Sequence, residues 1–261
     1  MSFFSDRMKV CFPDITYDFY RTYVKTNRID FEQYPLDDDF QIRVEDYINT
    51  DRDIILANPN NPTGQVLPLE EIEKIVASRP NRMVILDEAY VDYENESAVP
   101  LTKKYANLIV VQTFSKSRNL AGARIGFAIA SKEIIEDMNK IKFTFNPFNM
   151  GELAIAAGTA AVGDDVYLKQ CMHQILKARA YTKTELERLG FYVMESHTNF
   201  LLVKHPEISA AILCRALKNR GILVRHYNEP RLVSYLRITI GLEKEMSQLI
   251  REIHAMMQEG I

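Results

Sequence analysis

Residues 108–126 read LIVVQTFSKSRNLAGARIG and give the strongest indication of the fold. The apolar run Leu108–Val111 predicts a short buried strand, and the polar turn from Thr113 to Lys116 follows it directly. In open α/β sheets, ligands bind outside the carboxyl ends of the parallel strands. The stretch therefore predicts an α/β protein with candidate site residues on this turn.

The groups around Lys116 decide what this turn can bind. A lone lysine on a strand-end turn is usually a solvated surface cation. Here Thr113 and Ser115 supply hydroxyls and Arg124 supplies a planar, permanently charged fork, which are the groups that hold a phosphate. Neither G-x-G-x-x-G nor a Walker sequence occurs, so the pattern does not favour a nucleotide site.

A second apolar run, Met83–Leu86, leads into the sequence LDEAY at 86–90. Asp87 at the carboxyl end of this strand and Tyr90 three residues later can reach one site. Asp87 can equally be merely an N-cap for the segment that follows. The residues alone leave both interpretations open.

The rest of the first half alternates strand and helix patterns, which predicts a mainly parallel sheet flanked by helices. The sequence NPNNPTG at 58–64 must be a turn because Pro and Gly interrupt it. Aromatic residues in the first helix are expected to serve mostly in packing (Phe19, Tyr20 and Tyr23). Strands are expected at 9–12, 29–34, 53–57, 83–87, 108–113 and 125–130, and helices at 17–26, 44–48 and 69–78.

The second half predicts a smaller α+β domain. Its long helix should stop at Gly190, a residue type typical of the position after a helix. Further helices are expected at 153–161, 165–189, 208–219 and 244–258, and strands at 192–193, 200–203, 223–225 and 235–239. We therefore expect a large domain of residues 1–155 and a small C-terminal domain of 156–261 that includes the interdomain helix.

Composition and charge argue against several function classes. The 261 residues carry a formal net charge of −3, which gives no electrostatic case for nucleic acid or an anionic membrane. Three cysteines, Cys11, Cys171 and Cys214, form no CxxC pattern, which favours a reducing cytoplasm. We expect no metal site, no signal peptide and no membrane span, since the histidines stand alone and the apolar runs are far shorter than ~20 residues.

Four motifs in order, NPNNPTG, LDEAYVDY, TFSKSRNLAGARIGFA and YLRITIG, resemble fold-type-I PLP-dependent aminotransferases, most of all the histidinol-phosphate aminotransferase branch. The resemblance extends from Phe3 to Met257. It implies a PLP-transferase-like fold whose large domain binds pyridoxal 5'-phosphate (PLP), and a homodimer. It also implies amino transfer between histidinol phosphate and 2-oxoglutarate, in histidine biosynthesis.

The resemblance implies roles for the residues that match the family motifs. Lys116 bears PLP and moves the proton between the substrate Cα and the cofactor. Asp87 binds the pyridine nitrogen and keeps it protonated. Tyr90 and Asn61 hydrogen-bond the phenolic oxygen of PLP, and Tyr17 stacks on its ring.

The remaining matches concern the phosphate and the substrate. Thr113, Ser115 and Arg124 hold the cofactor phosphate. Arg237 grips the α-carboxylate of the amino acid, a bidentate task for which arginine is suited. For two more residues the interpretation stays open: Arg225 meets the substrate phosphate or is a surface strand residue, and Asn199 lines the same pocket or forms a turn.

The sequence departs from the family pattern at its start. Family members carry an N-terminal arm and a glycine-containing turn whose backbone N–H groups bind the cofactor phosphate at a helix N-terminus. Neither is present, and MSFF resembles the end of that helix. We therefore expect an N-terminally truncated chain with weaker PLP binding and impaired activity. The alternatives are an aromatic aminotransferase, a threonine-phosphate decarboxylase or a non-catalytic fragment.

Overall fold

A computed structural model describes residues 9–260 of the chain. The sequence MSFF at 1–4, which contains Phe3, where the family resemblance begins, lies outside these residues. The chain divides into two compact units: the first extends to Asn61 and continues over Gln65–Asp165, and the second holds Pro62–Gly64 and continues from Val166. The expected domains of 1–155 and 156–261 stay a prediction.

The first unit is built on a six-stranded sheet. Its strands are β1 (Lys9–Pro13), β2 (Asp30–Tyr34), β3 (Asp53–Ala57), β4 (Val84–Asp87), β5 (Leu108–Thr113) and β6 (Gly126–Ile129). They lie in the order β2-β1-β3-β4-β5-β6. All neighbouring pairs are parallel except β5 and β6, which are antiparallel. The predicted mainly parallel sheet is confirmed.

Both faces of this sheet are buried, which explains the continuous apolar runs of its strands. Side chains of β3 alternate between the faces. Ile54 and Leu56 join a core that contains α2 (Val44–Asn49) and α3 (Leu69–Ser78), whereas Ile55 packs on the other face, where α1 (Phe19–Thr26) lies.

Arg82 is a buried arginine just before β4, with 4% of its surface exposed. Its Nη1 donates to the carbonyls of Tyr47 and Thr50 at 2.7 and 2.8 Å, next to the end of α2. Its Nη2 donates to the carbonyl of Ile75 at 2.7 Å, in the last turn of α3. One guanidinium therefore satisfies carbonyls at the C-terminal ends of two helices, where a positive charge is favourable.

The second unit packs helices on a four-stranded sheet. The helices are α6 (Asp165–Arg188), α7 (Ala210–Asn219) and α8 (Glu243–Glu259), and the strands are β7 (Tyr192–Val193), β8 (Phe200–Lys204), β9 (Arg225–His226) and β10 (Leu236–Thr239). The strand order is β7-β8-β10-β9, with antiparallel pairing throughout. The expected stop at Gly190 is confirmed by its φ of +85° and by the bond from Phe191 N–H to Leu186 O.

Three element predictions need correction. The helices α4 (Lys132–Phe145) and α5 (Glu152–Gly163) complete the first unit, and α4, which buries no residue, was not predicted. The first helix begins at Phe19 and not at residue 17. The strand expected at 223–225 is Arg225–His226, because the turn after α7 extends to Ile222, whose N–H donates to Leu217 O.

Candidate active site

The candidate residues of the first unit gather at one edge of its sheet. Ala57, Asp87 and Val111 lie opposite one another in the register of β3, β4 and β5. The segments that follow these strands therefore leave the sheet at the same edge, as the carboxyl ends of parallel strands do. This edge carries Tyr17, Asn61, Asp87, Tyr90, Thr113, Ser115 and Lys116.

Asp87 is a half-buried carboxylate with a donor on each oxygen. Its Oδ1 accepts the Ala89 N–H at 3.0 Å, and its Oδ2 accepts the Tyr20 hydroxyl at 2.6 Å. Burial raises the pKa of Asp87, while the Tyr20 hydroxyl, the Ala89 N–H and the charge of Lys116 oppose that rise. Residues 89–94 after Asp87 form turns, and the bond from the Ala89 N–H shows that Asp87 caps this segment while its other oxygen meets Tyr20.

Lys116 is half-buried and points towards an aromatic neighbour. Its Nζ lies 5.2 Å from the ring centroid of Tyr90, which is 7% exposed. The charge of Lys116 also acts on Asp87. The first unit thus brings an amine, a phenol and a carboxylate together, and Lys116 is not the solvated surface cation that a lone turn lysine usually is.

Two hydroxyls precede Lys116 in the chain, and the segment that carries the Arg124 guanidinium meets one of them, since the Thr113 hydroxyl also donates to Ile125 O at 3.2 Å. The Thr113 hydroxyl donates to Ser115 Oγ at 3.0 Å, and the Ser115 N–H donates to Thr113 Oγ1 at 3.1 Å. Arg124 precedes β6, has a φ of 57° and is exposed, with Nη1 donating to Ala121 O at 2.9 Å. These three residues offer hydroxyl and cationic donors of the kind that bind phosphate.

The side chain of Asn60, which the sequence did not single out, holds this edge in place. Asn60 Nδ2 donates to Ile15 O at 3.0 Å, and Asn60 Oδ1 accepts the Thr16 hydroxyl at 2.8 Å. These bonds fix the segment that ends in Tyr17, whose ring is 46% exposed. The signal was present, since asparagine in a Pro-rich turn commonly replaces a backbone partner with its side chain.

Tyr20 is the second functional residue that the sequence did not reveal. It belongs to α1, where the aromatic spacing predicted mostly packing, and its ring does pack on Phe12 and Tyr17. Its hydroxyl also donates to Asp87, a contact that the spacing did not predict. No local sequence pattern predicts this contact, because Tyr20 and Asp87 are 67 positions apart.

The second unit sets two candidate arginines side by side. Arg225 of β9 and Arg237 of β10 are direct partners in the antiparallel register, so they share one face of the sheet. Arg237 lies 5.1 Å above the ring of Phe200, and Arg225 lies 5.4 Å above the ring of Tyr227. Like charges in this arrangement repel, and an anion bound between them would relieve the repulsion.

Asn199 lies at the start of β8 in the same unit. Its carbonyl accepts the Ile240 N–H at 2.8 Å, which fixes it next to the end of β10. Its side chain is half-buried. Within residues 9–260, no group of three His, Cys, Asp or Glu side chains is arranged to hold a metal ion, and no helix is long and apolar enough to cross a membrane.

Comparison with known proteins places this geometry in a family. The family model described as Aminotransferase class I and II matches residues 2–253. The chain is also 43% identical over 254 residues to the histidinol-phosphate aminotransferase of Brachyspira hyodysenteriae, covering 97% of this chain and 72% of that relative. The chain belongs to the class I and II aminotransferase family.

Solved aminotransferase structures have the same fold. The histidinol-phosphate aminotransferase of Clostridium acetobutylicum superposes with a TM-score of 0.88 at 26% identity, over 97% of this chain and 78% of that one. The Sinorhizobium meliloti enzyme in complex with pyridoxal-5'-phosphate superposes with a TM-score of 0.84 at 26% identity, over 95% and 71%. The family resemblance and the fold class that the motifs predicted are both confirmed.

Proposed function

We propose that this aminotransferase moves an amino group between histidinol phosphate and 2-oxoglutarate with PLP as its cofactor. The observation that carries the proposal is the group of Asp87, Lys116 and Tyr90 at the carboxyl edge of the first sheet. A half-buried carboxylate, an amine and a phenol at one place match the three groups of PLP that need a partner: the pyridine nitrogen, the aldehyde and the phenolic oxygen. The relatives named histidinol-phosphate aminotransferase supply the substrate.

The residues at this edge fit PLP in their donor and acceptor chemistry. Asp87 can hold a protonated ring nitrogen, since within residues 9–260 one donor reaches each of its oxygens and a carboxylate oxygen can accept more. The Thr113 and Ser115 hydroxyls and the exposed Arg124 guanidinium suit a phosphate. When bound, PLP supplies the electron sink that stabilises the carbanion formed at the substrate Cα.

Four residues of the chain have proposed roles in holding the cofactor and moving the proton. Lys116 holds the cofactor covalently and, once displaced by substrate, moves the proton at Cα. Tyr90 and Asn61 hold the phenolic oxygen of the cofactor. The exposed ring of Tyr17 stacks on the cofactor ring, and the Asn60 bonds to Ile15 and Thr16 hold the segment that bears it.

The paired arginines of the second unit bind the anionic part of each substrate. Two forked cations in register suit the phosphate of histidinol phosphate in one half-reaction and the α-carboxylate of the oxo acid in the other. Asn199 lines the same pocket. The proposal also includes a homodimer in the cytoplasm, for which a light-scattering mass of a single chain would be contrary evidence.

Neutral replacement of these arginines tests the proposal. We expect Arg225→Gln and Arg237→Gln each to lower kcat/KM for histidinol phosphate by about 10- to 100-fold, since each removes a hydrogen bond to a charged group. Glutamate formation from histidinol phosphate and 2-oxoglutarate is the assay. The matched control is Arg220→Gln, because Arg220 of the same unit is already paired with Glu252 and Glu259.

Three results would contradict the proposed activity. The first is no glutamate from histidinol phosphate in the PLP-loaded chain. The second is better turnover of phenylalanine than of histidinol phosphate, and the third is release of CO₂ from threonine phosphate. An equal loss in the Arg220 control would contradict the role of the paired arginines.

A further inference from the structure

A hydrogen bond joins helix α1 to the end of strand β4. The Tyr20 hydroxyl donates to Asp87 Oδ2 at 2.6 Å, a short distance of the kind found when the acceptor is ionised. The bond connects a residue from the apolar face of a helix with the carboxylate at the edge of the sheet. Packing alone does not require it.

The ring of Tyr20 is held by two other aromatic side chains. It meets the ring of Phe12 edge-on at 6.1 Å and the ring of Tyr17 edge-on at 5.6 Å. Such contacts fix both torsions of a tyrosine side chain, which has few rotamers to lose. The hydroxyl therefore points at Asp87 with little freedom to leave.

The surroundings of this bond make Tyr20 the donor and Asp87 the acceptor. Burial raises the pKa of Tyr20 well above its ordinary value, and the negative charge of Asp87 raises it further. The Tyr20 hydroxyl thus stays protonated and acts as a donor. Tyr20 supplies the hydroxyl that donates to Asp87, and Lys116 supplies the nearby positive charge. The other titratable groups that act on Tyr20 are the phenols of Tyr17 and Tyr90.

We infer that Tyr20 is a positioning residue that acts through Asp87, because its hydrogen bond orients the carboxylate and favours the anionic form. The anion is the form that holds a protonated ring nitrogen. The inference rests on the proposed function for the part that concerns PLP. The effect of Tyr20 on the ionisation of Asp87 does not depend on any cofactor.

Tyr20→Phe tests the inference, with Tyr23→Phe as the matched control. Both residues lie on α1, both are half-buried, and each change removes one hydroxyl. Among the described residues, no hydrogen bond is made by the Tyr23 hydroxyl. Thermal unfolding of the two variants checks that the chain still folds, as we expect since the ring of Tyr20 is kept.

The first measurement is the pH titration of the Asp87 carboxyl carbon by ¹³C NMR in the full cofactor-free chain. Asp87→Asn identifies the resonance. We expect the midpoint to rise in Tyr20→Phe and to stay unchanged in Tyr23→Phe. An unchanged midpoint in Tyr20→Phe, or an equal rise in both variants, would overturn the inference. If Tyr20→Phe does not fold, the Tyr20 ¹³Cζ resonance should shift between wild type and Asp87→Asn, and no shift would overturn it.

The second measurement is the affinity of the cofactor-free chain for PLP as a function of pH. We expect Tyr20→Phe to weaken PLP binding about tenfold, because Asp87 loses the hydrogen bond that orients it and favours its anionic form. The loss should be larger at acidic pH, where more Asp87 is protonated. A wild-type chain that does not take up PLP would refute the proposed function, while the NMR titration would still decide whether Tyr20 acts on Asp87.

Discussion

Asp87→Asn should lower kcat for amino transfer by about a thousandfold, the scale on which a fixed electrostatic group contributes in an active site. The amide keeps the size of the carboxylate and can still accept from the Tyr20 hydroxyl. It carries no charge, so it cannot keep the ring nitrogen of the cofactor protonated. The measurement is steady-state kcat at saturating PLP.

The pH profile of the same enzyme gives a second test of Asp87. Burial raises its pKa above the ordinary 3.8, and the active form is the anion. Activity should therefore fall as the pH decreases through this raised pKa, and that acid limb should be lost in Asp87→Asn.

The matched control for this prediction is Asp53→Asn. Asp53 lies at the amino end of β3, accepts the Met83 N–H at 2.7 Å, and also has a pKa raised by burial. It is thus the same residue type in the same sheet, at the opposite edge. Equal losses of kcat in the two variants would mean that the effect comes from the fold and not from the site.

Arg82→Ala should destabilise the chain by about 3–5 kcal/mol, since a buried polar group that loses its partner costs about 1–3 kcal/mol and Arg82 serves three carbonyls. The substitution leaves the carbonyls of Tyr47, Thr50 and Ile75 buried without their donor. Each such loss is costly because the group cannot reach water. Urea unfolding followed by circular dichroism measures the change as a lower midpoint.

Arg79→Ala is the control for Arg82. Arg79 is exposed and donates to the Asn49 carbonyl at 3.3 Å. The substitution therefore removes the same charge from the same end of α2, but only one hydrogen bond, which is longer than the bonds of Arg82 to the carbonyls of Tyr47, Thr50 and Ile75. We expect it to change the free energy of unfolding by less than about 1 kcal/mol. Similar midpoints for the two variants would contradict the anchoring role of Arg82.

The elements that the sequence predicted well are those with a strong period or a sharp boundary. β3 and β5 occupy the predicted residues because each is a short apolar run bounded by polar turns, and α3 does so because its apolar residues repeat at helical spacing. α4 was missed although Ile134, Met138 and Ile141 recur at helical spacing, and none of its residues is buried.

The candidate site was predictable only where a motif names the residue. Lys116, Asp87 and Tyr90 stand in such motifs, and the first unit brings them together. The contact of Tyr20 with Asp87 joins residues far apart in the chain, and no local pattern encodes it. Asn60 was indicated only by its place in a Pro-rich turn, which does not identify its partners Ile15 and Thr16. The pairing of Arg225 with Arg237 depends on the register of two strands, which required the structure.

Lys116 is the amine proposed to bear PLP, and every other role at the site depends on it. The direct test is to titrate the full chain with PLP, reduce it with borohydride and map the labelled peptide, with Lys116→Ala and the exposed Lys103→Ala as paired variants. We expect a single labelled site at Lys116 that is lost in Lys116→Ala and kept in Lys103→Ala. Labelling scattered over surface lysines, or retained in Lys116→Ala, would contradict it.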